Sequence, residues 1–97
     1  MYTATALFDL LLPGDSRTLK QKRSYVRPII AMLRKFEVSV AEVGALDLYG
    51  RAEIGVAVVA AEPGQVNRVL DSCERLVAGR PEVELLSVRR RLHGDDE

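Results

Sequence analysis

Residues 37–61 read EVSVAEVGALDLYGRAEIGVAVVAA, and this stretch decides the fold. Residues 37–43 are short and rich in β-branched side chains, which predicts a strand. Gly44, Ala45, Leu46 and Asp47 form the expected hairpin connection. Residues 48–61 predict a long second strand. Ala52, Ile54, Val56, Val58 and Ala60 share one of its faces, and Arg51, Glu53, Gly55, Ala57 and Val59 share the other. A hairpin in mid-chain, flanked on each side by a helical and then an extended pattern, leaves few topologies.

Towards the N-terminus, residues 2–12 predict a strand with Tyr2, Ala4, Ala6, Phe8 and Leu10 on its buried face, ended by Pro13-Gly14-Asp15. Thr18 followed by Gln21 is a capping box, which predicts a helix from that point. Leu19, Val26, Ile29, Ile30 and Leu33 recur at helical spacing and predict its apolar stripe. Pro28 lies inside this pattern and costs about 3 kcal/mol in a helix interior. We expect one kinked helix rather than a separate turn over residues 18–24.

Towards the C-terminus, Glu62-Pro63-Gly64 breaks the long strand, and Pro63 suits the first turn of a second helix. Val66, Val69, Leu70, Cys73, Leu76 and Val77 mark that helix's buried side, and Gly79 with Pro81 ends it. Residues 82–92 predict the last strand. Residues 1–94 thus form one domain, with an expected disordered acidic tail at 95–97.

The order β-α-β-β-α-β, with right-handed crossovers, predicts an α+β ferredoxin-like sandwich: a four-stranded antiparallel sheet with both helices on one face. The 97 residues suit a single modest core, and a hydrophobic content of 47% is ordinary for a globular chain. No apolar run approaches the roughly 18 residues of a membrane span. The first residues lack a basic leader pattern and read as a strand. A single cysteine suits a reducing compartment, so a cytoplasmic location is expected.

Net charge is zero, yet residues 17–35 hold seven of the fourteen basic residues and no acidic one. Segregation of this kind bears on partners rather than on fold. Lys20, Arg23, Arg27 and Arg34 fall on one flank of the predicted helix and can track phosphates, although a solvated helix face accounts for the same pattern. Lys22 falls beside the apolar stripe, either snorkelling past the helix end or standing at the sheet rim.

On the open sheet face the expected residues are Thr3, Thr5, Leu7, Asp9, Ser39, Ala41, Glu53, Gly55, Ala57 and Val59. None is aromatic, which argues against base stacking there. Small, partly apolar residues suit contact with another sheet, with Leu7 and Val59 as the expected interface of a homodimer. Tyr49 either covers the hairpin turn in a structural role or, with Arg51, stands at the edge of a binding surface. Arg51 is expected to pair with Asp9 or Glu53. In Arg89-Arg90-Arg91, alternation sends Arg90 to the side opposite its neighbours, so the run is expected to blunt an edge or solubilise the sheet rather than form one patch. Cys73 reads as a core residue, and His93, beside the polar tail, is not expected to be catalytic. No set of residues has metal-ligand spacing, and the sequence identifies neither a cofactor nor a small-molecule substrate.

Several segments also resemble a known family. Residues 18–24, TLKQKRS, are similar to the S-L-K-x-K-R-S signature of the YlxP-like family of small bacterial domains of uncharacterised function. Residues 47–52, DLYGRA, with Ile54-Gly55-Val56-Ala57, resemble its D-L-W-x-R-A…L-G-V-A hairpin. Residues 37–43 and 81–86 resemble its second and last strands. The departures are Thr18 for Ser, Tyr49 for Trp and Gly50 for a larger polar residue. The resemblance implies the same ferredoxin-like fold. Family members are often encoded among genes for translation initiation and ribosome maturation, which implies RNA or a ribosomal partner for the basic helix.

The first functional expectation is therefore a non-catalytic module that meets RNA or the ribosome through Lys20, Lys22, Arg23, Arg27 and Arg34. The second is a homodimeric interaction domain that uses the open sheet. An acylphosphatase-like enzyme is disfavoured, because residues 13–17 (PGDSR) lack that family's glycine-rich phosphate cradle.

Overall fold

The computed structural model describes residues 1–94; the acidic tail 95–97 lies outside the described residues. The elements are β1 (Tyr2–Leu11), α1 (Leu19–Arg34), β2 (Ser39–Gly44), β3 (Arg51–Ala60), α2 (Pro63–Ala78) and β4 (Glu84–His93). The strands form one sheet in the order β2-β3-β1-β4, with every neighbouring pair antiparallel. This is the βαββαβ ferredoxin-like arrangement that the hairpin and its flanking helices predict.

The core lies between the sheet and the two helices. Ala4, Ala6, Phe8 and Leu10 of β1 and Ala52, Ile54, Val56 and Val58 of β3 face Val26, Ile29 and Leu33 of α1 and Val66, Leu70, Cys73 and Val77 of α2. Burial of apolar area at about 25 cal/mol per Å² drives this packing, and strict alternation leaves the opposite sheet face uncovered. Register places Leu7 opposite Gly55 and Arg89, and Thr5 opposite Ala57 and Arg91.

α1 is continuous from Leu19 to Arg34 with Pro28 inside it. The proline ring denies Ser24's carbonyl its usual intrahelical donor. Thr18 accepts a hydrogen bond from the Gln21 amide at 3.1 Å, the first half of the expected capping box. The reciprocal bond is displaced by one residue, since Gln21 Oε1 accepts from the Arg17 amide.

Three expectations are corrected. First, β2 begins at Ser39, because Glu37 adopts a left-handed backbone (φ 60°) that turns the chain after α1. Second, the connection between β2 and β3 runs over residues 45–50, and β3 begins at Arg51 rather than at Leu48. Leu48 and Tyr49 look like strand residues, but backbone contacts described below hold them in a loop. Third, Leu19 is exposed, and its expected place in the buried stripe of α1 is taken by Lys22. Where β2 meets that loop its ladder shifts register around Val43. A side chain at Gly44 would run into the Glu53 carboxylate there, which would have to swing aside.

Candidate functional site

One end of the molecule collects what the sequence keeps far apart: the β1–α1 loop, the start of α1 and the β2–β3 loop. Ser16 is buried, and its hydroxyl donates to the Tyr49 carbonyl at 2.6 Å. The Leu12 amide donates to the Gly50 carbonyl at 2.9 Å. Arg51 grips Asp9 from the next strand at 2.7 and 2.9 Å. That hydrogen bond and charge raise the Arg51 pKa above its ordinary value. Tyr25 of α1 donates its hydroxyl to Asp15 at 2.8 Å, which lifts the phenol's pKa and ties the β1–α1 loop to the helix. The segments that carry the family resemblance, 18–24 and 47–52, therefore stand side by side.

Lys22 joins them. Its side chain is only 2% exposed, and Nζ donates to the Ala45 carbonyl at 2.8 Å. The same nitrogen lies 2.8 Å from Glu42 Oε2. That approach is ionic; its angles do not make a hydrogen bond, and Oε2 is otherwise buried without a partner. Ala45 has a left-handed backbone (φ 56°), which costs a non-glycine residue about 1–2 kcal/mol. Its carbonyl accepts from the Leu48 amide as well as from Lys22. The expectation that Lys22 contacts phosphate is corrected on physical grounds. Its charge is sealed inside the protein and already spent on Glu42 and Ala45.

The other members of the basic set stay outside. Lys20, Arg23, Arg27 and Arg34 are exposed and fall within one narrow arc of the helix. At 1.5 Å per residue they span about 21 Å. Among the described residues none of the four forms an ion pair, whereas Lys22, Arg51, Arg80 and Arg90 each hold a carboxylate. Beside this stripe runs a groove of about 280 Å³ between α1 and the β2–β3 loop, lined by Leu19, Val26, Ile30 and Leu46 with Arg23 and Arg27. The loop itself presents large apolar side chains to solvent: Leu46 is 58% exposed, Leu48 54% and Tyr49 46%.

The open sheet face carries a second, shallower depression of about 500 Å³. Ala41, Gly55 and Ala57 line it with Leu7, and Arg89 and Arg91 stand along it. Arg90 points the other way and bridges Asp71 and Glu74 of α2 at 2.8 and 3.1 Å, as alternation requires. The residues assigned to an interface do not converge on one spot. Val59 lies opposite Thr3 at one end of the sheet, Leu7 lies in the middle, and Arg51 and Tyr49 lie at the other end. Cys73 is fully buried, and burial pushes its thiol pKa up. His93 ends β4, opposite Thr3. Among the described residues no three His, Cys, Asp or Glu side chains cluster as metal ligands, and no helix is long and apolar enough to cross a membrane.

Sequence reasoning missed Ser16, Glu42 and Ala45. A signal existed for Glu42, because alternation puts it with Val38 and Val40 on the helix-facing side of β2. An inward carboxylate there calls for an inward cation, and Lys22 is the one α1 supplies. Nothing local marks Ser16 or Ala45.

The family model described as "Protein of unknown function (DUF503)" matches residues 4–90. The chain is 31% identical over 71 residues to the "Uncharacterized protein YlxP" of Bacillus subtilis (strain 168), covering 72% of this chain and 77% of that protein. Its fold is similar to that of the "De novo designed protein Foldit4", with a TM-score of 0.65 and 12% identity over 98% of this chain and 99% of the other. That second likeness concerns fold alone, since a sandwich of this kind hosts many unrelated functions. With its matched residues running from β1 into β4, the chain belongs to the DUF503 family, as a YlxP-like small domain.

Proposed function

We propose that this protein is a cytoplasmic, non-catalytic binding module that meets structured RNA, free or within the ribosome, through the exposed cations of α1. The observation that carries this reading is the unpaired stripe of Lys20, Arg23, Arg27 and Arg34 along one helix flank. Arginine forks suit paired phosphate contacts. Zero net charge keeps long-range attraction weak, so affinity depends on a target shaped to the stripe. Binding to ribosomal subunits and to structured RNA, measured between about 50 and 200 mM salt, tests it. Affinity is expected to fall steeply with salt and to be lost when Lys20, Arg23 and Arg27 are all changed to Glu. Binding that ignores both changes overturns the reading.

A second reading rests on the uncovered sheet face, where small residues meet exposed Val59. On it, two copies pack sheet to sheet through Leu7 and Val59. Sedimentation of the wild type and of Leu7→Asp decides the matter: a concentration-dependent dimer abolished by the substitution supports it, and a wild-type monomer throughout excludes it.

A further inference from the structure

The groove beside the cationic stripe has a composition that phosphate binding alone does not explain. Four aliphatic side chains, Leu19, Val26, Ile30 and Leu46, line it, and two arginines, Arg23 and Arg27, stand in it. A phosphate backbone gains nothing from an apolar floor, whereas a nucleobase presents a π-face that packs on one. The space of about 280 Å³ admits a single base with part of its sugar.

Its polar content fits the same occupant. Glu42 lines the groove, but the ammonium of Lys22 neutralises its carboxylate from behind, so an anionic strand is not repelled. Oε2 is turned to Lys22 and sealed. Oε1 is not among the sealed atoms, and among the described residues it accepts no hydrogen bond. It is a charged acceptor suited to a base N–H, the pairing carboxylates make with exocyclic amino groups. Arg23 and Arg27 lie one helical turn apart, with Cβ atoms about 5–6 Å from each other, and can hold the phosphates on either side of one nucleotide. The loop is held in place before any ligand arrives, since Lys22, Ser16 and Leu12 hold its carbonyls. Preorganisation of this kind lowers the cost of binding.

We propose that this groove receives one unstacked nucleobase of a bulged or looped RNA, packed on Ile30 and Leu46, with its flanking phosphates on Arg23 and Arg27 and an N–H directed to Glu42 Oε1. The inference rests on the RNA-binding reading above and narrows its target class, because a continuous duplex offers no such base. The test uses three labelled hairpin RNAs with the same stem, in fluorescence anisotropy against the full chain. One carries a single-nucleotide bulge, one an abasic site at the bulge, and one is fully paired. The bulged RNA is expected to bind about tenfold more tightly than the abasic one, the scale of taking roughly 55 Å² of apolar surface out of water. Leu19→Ser with Leu46→Ser, both at exposed positions, is expected to abolish that preference while leaving the thermal melt and the salt dependence unchanged. Equal binding of all three RNAs overturns the base pocket and leaves the RNA-binding reading standing. Failure of all three to bind overturns both.

Discussion

α1 and α2 have 16 residues each and cover the same face of the same sheet, but they settle their charges differently. The outer side of α2 mixes Arg68 and Arg75 with Asp71 and Glu74, and both acids reach down to Arg90 on β4. The outer side of α1 carries cations alone, while its single buried cation, Lys22, borrows a carboxylate from β2. Asp71 and Glu74 interleave with Arg68 and Arg75, so the charges of α2 sum to zero within the helix, although those two arginines form no ion pair of their own among the described residues. The exposed flank of α1 has no acidic residue interleaved with its cations and no ion pair among the described residues. Cationic residues of one type thus divide into structural and available ones according to whether the fold supplies an anion.

The largest effect expected from this contrast is at Lys22. Lys22→Met leaves Glu42 without its counter-charge and Ala45 without its donor. Breaking a fully buried pair costs about 3–5 kcal/mol; Glu42 keeps a quarter of its side chain in water, so about 2–3 kcal/mol is expected from urea denaturation. Lys22→Met with Glu42→Leu should recover most of it. A Lys22→Met variant as stable as the wild type would break the distinction between structural and available cations.

Next comes a matched exchange between the helices. Arg23→Ala with Arg27→Ala should weaken RNA binding about tenfold and make the log–log salt slope shallower by about 1.4–1.8, the release from two phosphates. Arg68→Ala with Arg75→Ala on α2 should change neither. Equal losses from the two pairs would mean that net charge, rather than the α1 stripe, governs binding.

A smaller effect follows from Arg90. Burial pulls its guanidinium pKa down, the hydrogen bonds it donates to Asp71 and Glu74 push it up, and the net shift is upward. Arg90→Ala is expected to cost about 0.5–1 kcal/mol in thermal or urea unfolding, the range for partly exposed networks, and to leave RNA affinity at α1 unchanged or slightly weaker, since it uncovers two carboxylates.

The smallest effect is at Cys73, the buried thiol of α2. Its folded pKa is raised by burial, so the folded protein holds this proton more tightly than the unfolded chain does. Its contribution to stability is complete below the unfolded value of about 8.5 and is lost as pH rises through the folded pKa. Urea midpoints measured between about pH 8 and 9.5 should decline, and Cys73→Ala should flatten that decline. The window stays below the range where Tyr25, also raised, begins to titrate.

Much of the architecture is legible in residue order, because each element announces itself locally. The alternation in β1 and β3, the Thr18 cap and Pro63 at a helix start require no knowledge of distant contacts. Pro28 is tolerated because the buried positions Val26, Ile29 and Leu33 hold α1 together around it. β3 starts at Arg51 rather than at the expected Leu48, because Leu48 and Tyr49 have strand propensities while the loop they occupy is imposed from elsewhere, by Ser16, Leu12 and Lys22. The site follows the same division. The exposed stripe of Lys20, Arg23, Arg27 and Arg34 is a pattern within one helix and can be read directly. The fate of Lys22 depends on residues 20 and 23 positions away, Glu42 and Ala45, and only the folded chain brings them together.

The pinned carbonyl of Ala45 bears on how this protein can change length. Surface connections usually accept insertions, because little depends on where their backbone lies. Residues 45–50 are mostly exposed in their side chains, but three of their carbonyls are fixed by partners from outside the loop. One added or deleted residue would slide those acceptors away from Lys22, Ser16 and Leu12 together. Substitution of the outward side chains is therefore the permitted route of variation, and a change in length is not. An engineered tag or loop graft belongs at the turn between β3 and α2, around Ala61, where no such set of acceptors would be displaced.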